Sequence, residues 1–95
     1  MTTHKLKTWT PFYEDVVAGR KRFELRLNDR GFQVGDVLVL QEWDQYRERL
    51  TDRSVKVKET YLIDAKAFGA LTEGWVCMSI DVLPSDGFPY DELRP

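Results

Sequence analysis

Apolar and polar residues alternate most regularly from Arg22 to Leu27, where Phe23, Leu25 and Leu27 interleave with Arg22, Glu24 and Arg26. A period of two marks a strand with one buried face, so the apolar trio is expected to anchor the core and the polar set to face solvent or a cleft. Val37 to Trp43 is a nearly continuous apolar run, which predicts a strand covered on both faces. From Ser54 to Ile63 the pattern predicts a long strand with Val55, Val57, Tyr61 and Ile63 on one side. Lys58 and Glu59 interrupt it, which points to a bulge or an edge position. Trp75 to Val82 reads as the last strand, with Val76, Met78, Ile80 and Val82 inward. Near the start, Leu6 is the one clear apolar residue between His4 and Trp9, enough for a short strand.

Thr10-Pro11 predicts a helix start. The Thr hydroxyl can cap, proline is tolerated in the first turn, and Glu14 and Asp15 suit the positive end of the helix dipole. Phe12, Tyr13, Val16 and Val17 supply its apolar stripe, and Gly19 is placed to end it in a left-handed conformation. Asn28 to Gly31 and Gly35-Asp36 read as turns, residues 44–52 as an exposed hairpin tip, and residues 64–74 as a loop with at most one helical turn. The sum is an α+β, mainly β domain over residues 1–84. It is expected to be a small, closed or nearly closed β-barrel of five to six strands with one early helix across an opening, followed by an irregular tail over residues 85–95.

Composition narrows the chemistry. The chain of 95 residues is 42% apolar, which supports one modest core. Its net charge of −2 does not hold it to polyanions, so any nucleic-acid contact must come from a local patch. A single cysteine, Cys77, excludes an intrachain disulfide, and with one histidine it leaves no zinc-type cluster. No metal or cofactor is therefore expected. There is no apolar run of the roughly 20 residues a membrane span needs and no signal-peptide core, which suggests a cytoplasmic protein with no membrane partner.

Gly19 to Asp36 concentrates the polar side chains of interest, with five basic and three acidic residues. Glu24 and Arg26 share a strand face, and such a pair can hold a base edge or a phosphate, or simply form a surface ion-pair ladder. Lys21, flanked by Arg20, Arg22 and Arg26, is a candidate for an activated amine. Arg30 adds to the local positive charge beside Asn28 and Asp29, which also suit an ordinary turn. Trp9, Trp43 and Tyr46 are candidate stacking surfaces. Glu42 shares the parity of Leu38 and Leu40 and so points inward, where it needs a partner such as Lys21 or an arginine. His4 and Cys77 read as incidental.

The string Gly19-x-Lys21-x-x-Glu24-x-Arg26, followed by Asn28-Asp-Arg30, Phe32-x-Val34-Gly-Asp36 and Leu38-x-Leu40-x-Glu42-Trp43, resembles the ASCH domains of the PUA-like superfamily. It is most similar to a compact, largely uncharacterised ASCH-related family of bacteria and their phages. The resemblance runs over residues 4–82 and implies a PUA-like barrel with a cleft for RNA or modified nucleosides. Some ASCH relatives are amidohydrolases that deacylate N4-acetylcytidine with a lysine, a threonine and a glutamate. Lys21 matches that lysine, Glu24 stands where the threonine would be, and Glu59 and Glu73 are the only glutamates to consider in the later region where theirs lies.

The leading expectation is accordingly an RNA- or nucleotide-binding module rather than an enzyme. Its ligand would be held by Lys21, Glu24, Arg26, Asn28 and Arg30, with Trp43 and Trp9 as stacking faces. One alternative is a nucleoside amidohydrolase using Lys21 with Glu24 or Glu42 as acid and base. Another is an accessory domain that binds a protein.

Overall fold

The computed structural model describes residues 1–84, and the predicted tail over 85–95 lies outside them. The elements run β1 (Thr3–Trp9), α1 (Thr10–Val17), β2 (Phe23–Leu27), β3 (Val37–Asp44), β4 (Arg49–Asp64) and β5 (Trp75–Val82). The five strands form one sheet in the order β1-β3-β4-β5-β2, in which β1 pairs with β3 in parallel and the other neighbours are antiparallel. This is the expected α+β, mainly β, barrel-like architecture.

The sheet curls around a core of Leu6, Leu38, Leu40, Val55, Val57, Val76, Met78 and Ile80, capped by Tyr13 and Val16 of α1. Leu38, Leu40, Val57 and Met78 are completely buried. Burial of such side chains stabilises the fold by about 1.5–3 kcal/mol each. Along β3 only the even positions reach this core, while Val37 and Val39 are half-buried on the outer face.

Curling brings the two edge strands, β1 and β2, opposite one another without backbone pairing. Side chains bridge them instead: Arg26 Nη2 donates to the Lys7 carbonyl at 2.9 Å, and Arg30 Nη1 to that of Lys5 at 2.7 Å. The barrel therefore has an open seam, and the seam is the cleft described below.

Three local expectations are corrected. In β2 the faces are reversed: Glu24 is buried, whereas Phe23, Leu25 and Leu27 are nearly half exposed. An edge strand beside a cleft can leave its apolar face uncovered, and alternation alone does not say which face is inside. In β4 the pairing with β5 shifts between Glu59 and Tyr61. That bulge reverses the phase, so Tyr61 lies outside and Leu62 packs on the core.

At the start of α1, the cap position is Trp9, and no side chain caps it. The Thr10 hydroxyl bonds instead to the Trp43 carbonyl at 3.5 Å. Glu14 and Asp15 fall beyond the first turn. Gly19 ends the helix with a φ of 80°.

Candidate functional site

The seam between β1 and β2 opens into a cleft of about 650 Å³. Its lining is mostly apolar: Trp9 from β1, Phe12 from α1, Phe23, Leu25 and Leu27 from β2, and Trp75 from β5. All six remain substantially exposed, with Trp9 at 51%. The polar groups around it are Lys7, Thr8, Lys21, Glu24, Arg26, Asp29 and Arg30.

Glu24 is the fixed point of this polar set, being 2% exposed on the inner face of β2. Lys21 follows the Gly19 turn, and its backbone N–H donates to the Asp15 carbonyl. Its ammonium turns back to donate to Glu24 Oε1 at 2.6 Å and to the Phe23 carbonyl at 2.7 Å. Arg26, two residues along the strand from Glu24, donates from Nε to Glu24 Oε2 at 2.9 Å and from Nη2 to Thr8 Oγ1 at 3.2 Å. One buried carboxylate thus holds two cations at the cleft wall through charge-assisted hydrogen bonds that solvent screens less than those of an exposed pair. Lys21 is paired with this carboxylate instead of being crowded by Arg20 and Arg22. Those two turn to Asp15 and to the Gly19 carbonyl.

The geometry determines which hydrogen bonds remain for a ligand. Both oxygens of Glu24 are engaged. One N–H of Lys21 and the Nη1 group of Arg26 have no partner among the described residues. The cleft therefore offers cationic donors over an apolar bed.

Of the residues singled out in the sequence, Trp9, Lys21, Glu24, Arg26 and Arg30 border this one cleft. Asn28 does not: its Oδ1 accepts from the Phe32 N–H at 2.9 Å and builds the turn. Trp43 pairs with Trp9 in the sheet but is absent from the lining, and Lys7 Nζ sits 4.2 Å from its ring centroid. Tyr46 stands at the β3–β4 hairpin tip, 90% exposed and away from the cleft.

Glu42 points inward as its parity requires, and its partner is Arg53, which donates from Nε at 2.7 Å and from Nη2 at 2.8 Å. Thr51 adds a third donor. The Arg53 hydrogen bonds outweigh the cost of burial and pull the Glu42 carboxyl down to about 2. Arg53 also reaches Glu14 and lies over the Tyr13 ring, so this group ties α1 to the β3–β4 hairpin. Burial raises the Tyr13 hydroxyl, with Arg53 opposing.

A second buried polar cluster lies at the start of β1. His4 Nε2 and Asp36 Oδ2 are 2.9 Å apart, and the Thr2 and Gln33 N–H groups also donate to Asp36. Burial alone would raise Asp36, but these hydrogen bonds, led by that of His4, lower it. Glu59 is fully buried nearby, and neither carboxylate oxygen has a partner among the described residues. Burial, reinforced by Asp36, raises it. His4 is thus structural and not incidental. The only hint of this in the sequence is its shared parity with Leu6 and Thr8, the other buried positions of β1. Among the described residues no cluster is arranged to hold a metal ion, and no helix is long and apolar enough to cross a membrane.

Comparison with known proteins places these features in a family. The family described as Domain of unknown function (DUF3850) matches residues 3–80, which include β1 to β4, most of β5 and every residue that lines the cleft. The chain is also similar to the "Uncharacterized 12.9 kDa protein in GpA 3'region" of Escherichia phage P2, with 36% identity over 61 residues. That match covers 64% of this chain and 54% of the phage protein, so it spans about half the length of that relative.

Proposed function

The chain belongs to the DUF3850 family, and from that premise we propose that it is a nucleotide- or RNA-binding module of the ASCH, PUA-like type, with the ligand in the cleft between β1 and β2. The observation that carries this reading is the pair Lys21 and Arg26, held on buried Glu24 beside exposed Trp9, Phe12 and Phe23. The cations suit phosphate or carbonyl oxygens, and the rings suit a base. Glu24 acts as the anchor that positions both cations, a role distinct from direct recognition of a base. The Gly19-x-Lys21-x-x-Glu24-x-Arg26 resemblance supports the same assignment.

Titration with uridine monophosphate and with uridine at low salt tests it. The monophosphate is expected to bind more tightly, and Arg30→Gln and Lys21→Ala are each expected to weaken it by about tenfold or more. Equal affinity for all three proteins would remove the cleft from consideration.

The amidohydrolase reading draws on one feature, the 2.6 Å contact between Lys21 and Glu24 beside the cleft. Binding ranks above it because both Glu24 oxygens are already engaged and Glu42 is absent from the lining. Incubation with N4-acetylcytidine decides between them. Release of cytidine above a Lys21→Ala control would favour hydrolysis.

A further inference from the structure

The face of the sheet opposite the core carries a second basic surface. Strand register sets Thr3, Val37 and Lys58 side by side, then Lys5, Val39 and Lys56, then Lys7, Gln41 and Ser54. Four lysines therefore flank a shallow strip of Val37, Val39 and Gln41, and all four are exposed. None has a carboxylate within ion-pair distance among the described residues. The acidic residue registered beside this face is Asp81, next to Lys58, and it makes no ion pair there. In a chain of net charge −2, four such lysines on one face form a concentrated patch.

We propose that this face of β1, β3 and β4 binds the sugar-phosphate backbone of a single-stranded nucleic acid whose adjoining nucleotide lies in the β1/β2 cleft. Charge complementarity identifies the partner as a polyanion. Continuity with the cleft selects a nucleic acid: Lys7 belongs to the cleft lining, and Arg30 bonds to the carbonyl of Lys5, so the two basic surfaces meet along β1. Lysines two residues apart on a strand are about 7 Å apart, and strands two positions apart about 10 Å. That area suits a few nucleotides, within the roughly 4–16 that single-strand sites of this size cover. The apolar positions between the lysines are half-buried valines, too recessed to insert into a lipid surface. The inference extends the nucleotide-binding reading of the cleft, but it stands or falls on different residues.

The test uses the full chain and a triple variant, Lys5→Gln with Lys56→Gln and Lys58→Gln, which leaves every cleft side chain in place. Fluorescence anisotropy with a labelled 12-nucleotide oligouridylate is followed across a salt series, with uridine monophosphate titrated separately. The triple variant is expected to weaken oligonucleotide binding and flatten the slope of log affinity against log salt by about 2, at roughly 0.7 per phosphate contact. Its affinity for the monophosphate is expected to match wild type. An unchanged slope would overturn the proposal. So would lysine-dependent sedimentation with phosphatidylserine vesicles combined with unaltered oligonucleotide binding. If the monophosphate binds neither protein while the oligonucleotide still shows the lysine-dependent slope, the sheet face stands and the cleft reading fails.

Discussion

Glu24 Oε1 and Lys21 Nζ lie 2.6 Å apart, and the carboxylate is nearly inaccessible while the ammonium borders an open cleft. The pair joins the inside of the domain to the cleft wall. Arg26, on the other oxygen of the same carboxylate, extends the link across the seam to Lys7 and Thr8 of β1. Glu24 therefore has two roles: it neutralises two cations that would otherwise repel, and it holds the Arg26 side chain that bridges the edge strands.

Replacing Glu24 with glutamine should separate those roles from simple volume. The amide retains one acceptor but carries no charge, so neither cation keeps its anion, and one of them faces an N–H donor where it had an acceptor. Urea denaturation is expected to show a loss of about 1–3 kcal/mol, since one partner of a buried charged network has been removed. Affinity for uridine monophosphate should fall as well, because Lys21 and Arg26 are no longer fixed. A variant with wild-type stability would show that the anchor is dispensable.

Glu42 should set part of the acid limit of stability. Its folded carboxyl sits at about 2, below the ordinary 4.5, chiefly through the hydrogen bonds of Arg53. A depressed carboxyl contributes stability above its unfolded value and loses it as pH falls towards the folded one. The window is thus roughly pH 4.5 down to 2, and Asp36, also lowered, acts in the same direction. Glu42→Gln is expected to cost about 2 kcal/mol at pH 7, allowing for screening of the half-exposed Arg53, and nothing below pH 2. Chemical denaturation at pH 7, 4 and 2 measures this directly.

Glu59 should act in the opposite sense. Its carboxyl is raised by burial and by Asp36, so its contribution is fully present below its unfolded value and is lost as pH rises through the folded one. Glu59→Gln cannot ionise. The stability of this variant relative to wild type is therefore expected to improve as pH rises above the ordinary carboxyl value of 4.5 and to level off once the folded protein ionises, whatever its offset at pH 4. A difference that is flat with pH would mean that Glu59 is already ionised in the folded protein, with a partner inside the core.

These three carboxylates also show what the sequence makes legible. Strand positions follow from alternation, and β2, β3 and β5 all lie where the pattern puts them. Alternation is a period without a sign, however, and β2 carries Phe23, Leu25 and Leu27 on its uncovered side because that face borders a cleft. Glu42 could be placed inside because it shares the parity of Leu38 and Leu40, both of which are completely buried. Glu59 has the parity of the buried Val55 and Val57, but an acid in that row reads as an interruption, and the bulge after it reverses the phase only for Tyr61 and Ile63. The motif from Gly19 to Arg30 located the cleft, yet Asn28 proved to be turn chemistry, and the Arg53 that secures Glu42 comes from the far strand of a hairpin. Contacts of that kind depend on register, which no local pattern encodes.

Trp9 offers the sharpest separation of binding from folding. It ends β1, provides the backbone cap of α1 and presents a half-exposed ring to the cleft, with no side-chain hydrogen bond at the cap. Truncation to alanine keeps the backbone geometry and removes mainly the ring. If the ring stacks on a base, Trp9→Ala should lose about 1–3 kcal/mol of binding, or roughly 5- to 150-fold in affinity for uridine monophosphate. Stability should change little, because a half-exposed side chain contributes far less than a buried one. Leu6, two strand positions from Thr8 on the inner face and almost completely buried, is the control: Leu6→Ala should cost about 2–5 kcal/mol of stability. Thermal melts and titrations on the two variants give opposite rankings if the cleft binds a base. Should Trp9→Ala lose stability without losing affinity, the ring is a packing element and the stacking surface must be sought at Phe12 or Phe23, its neighbours in the same lining.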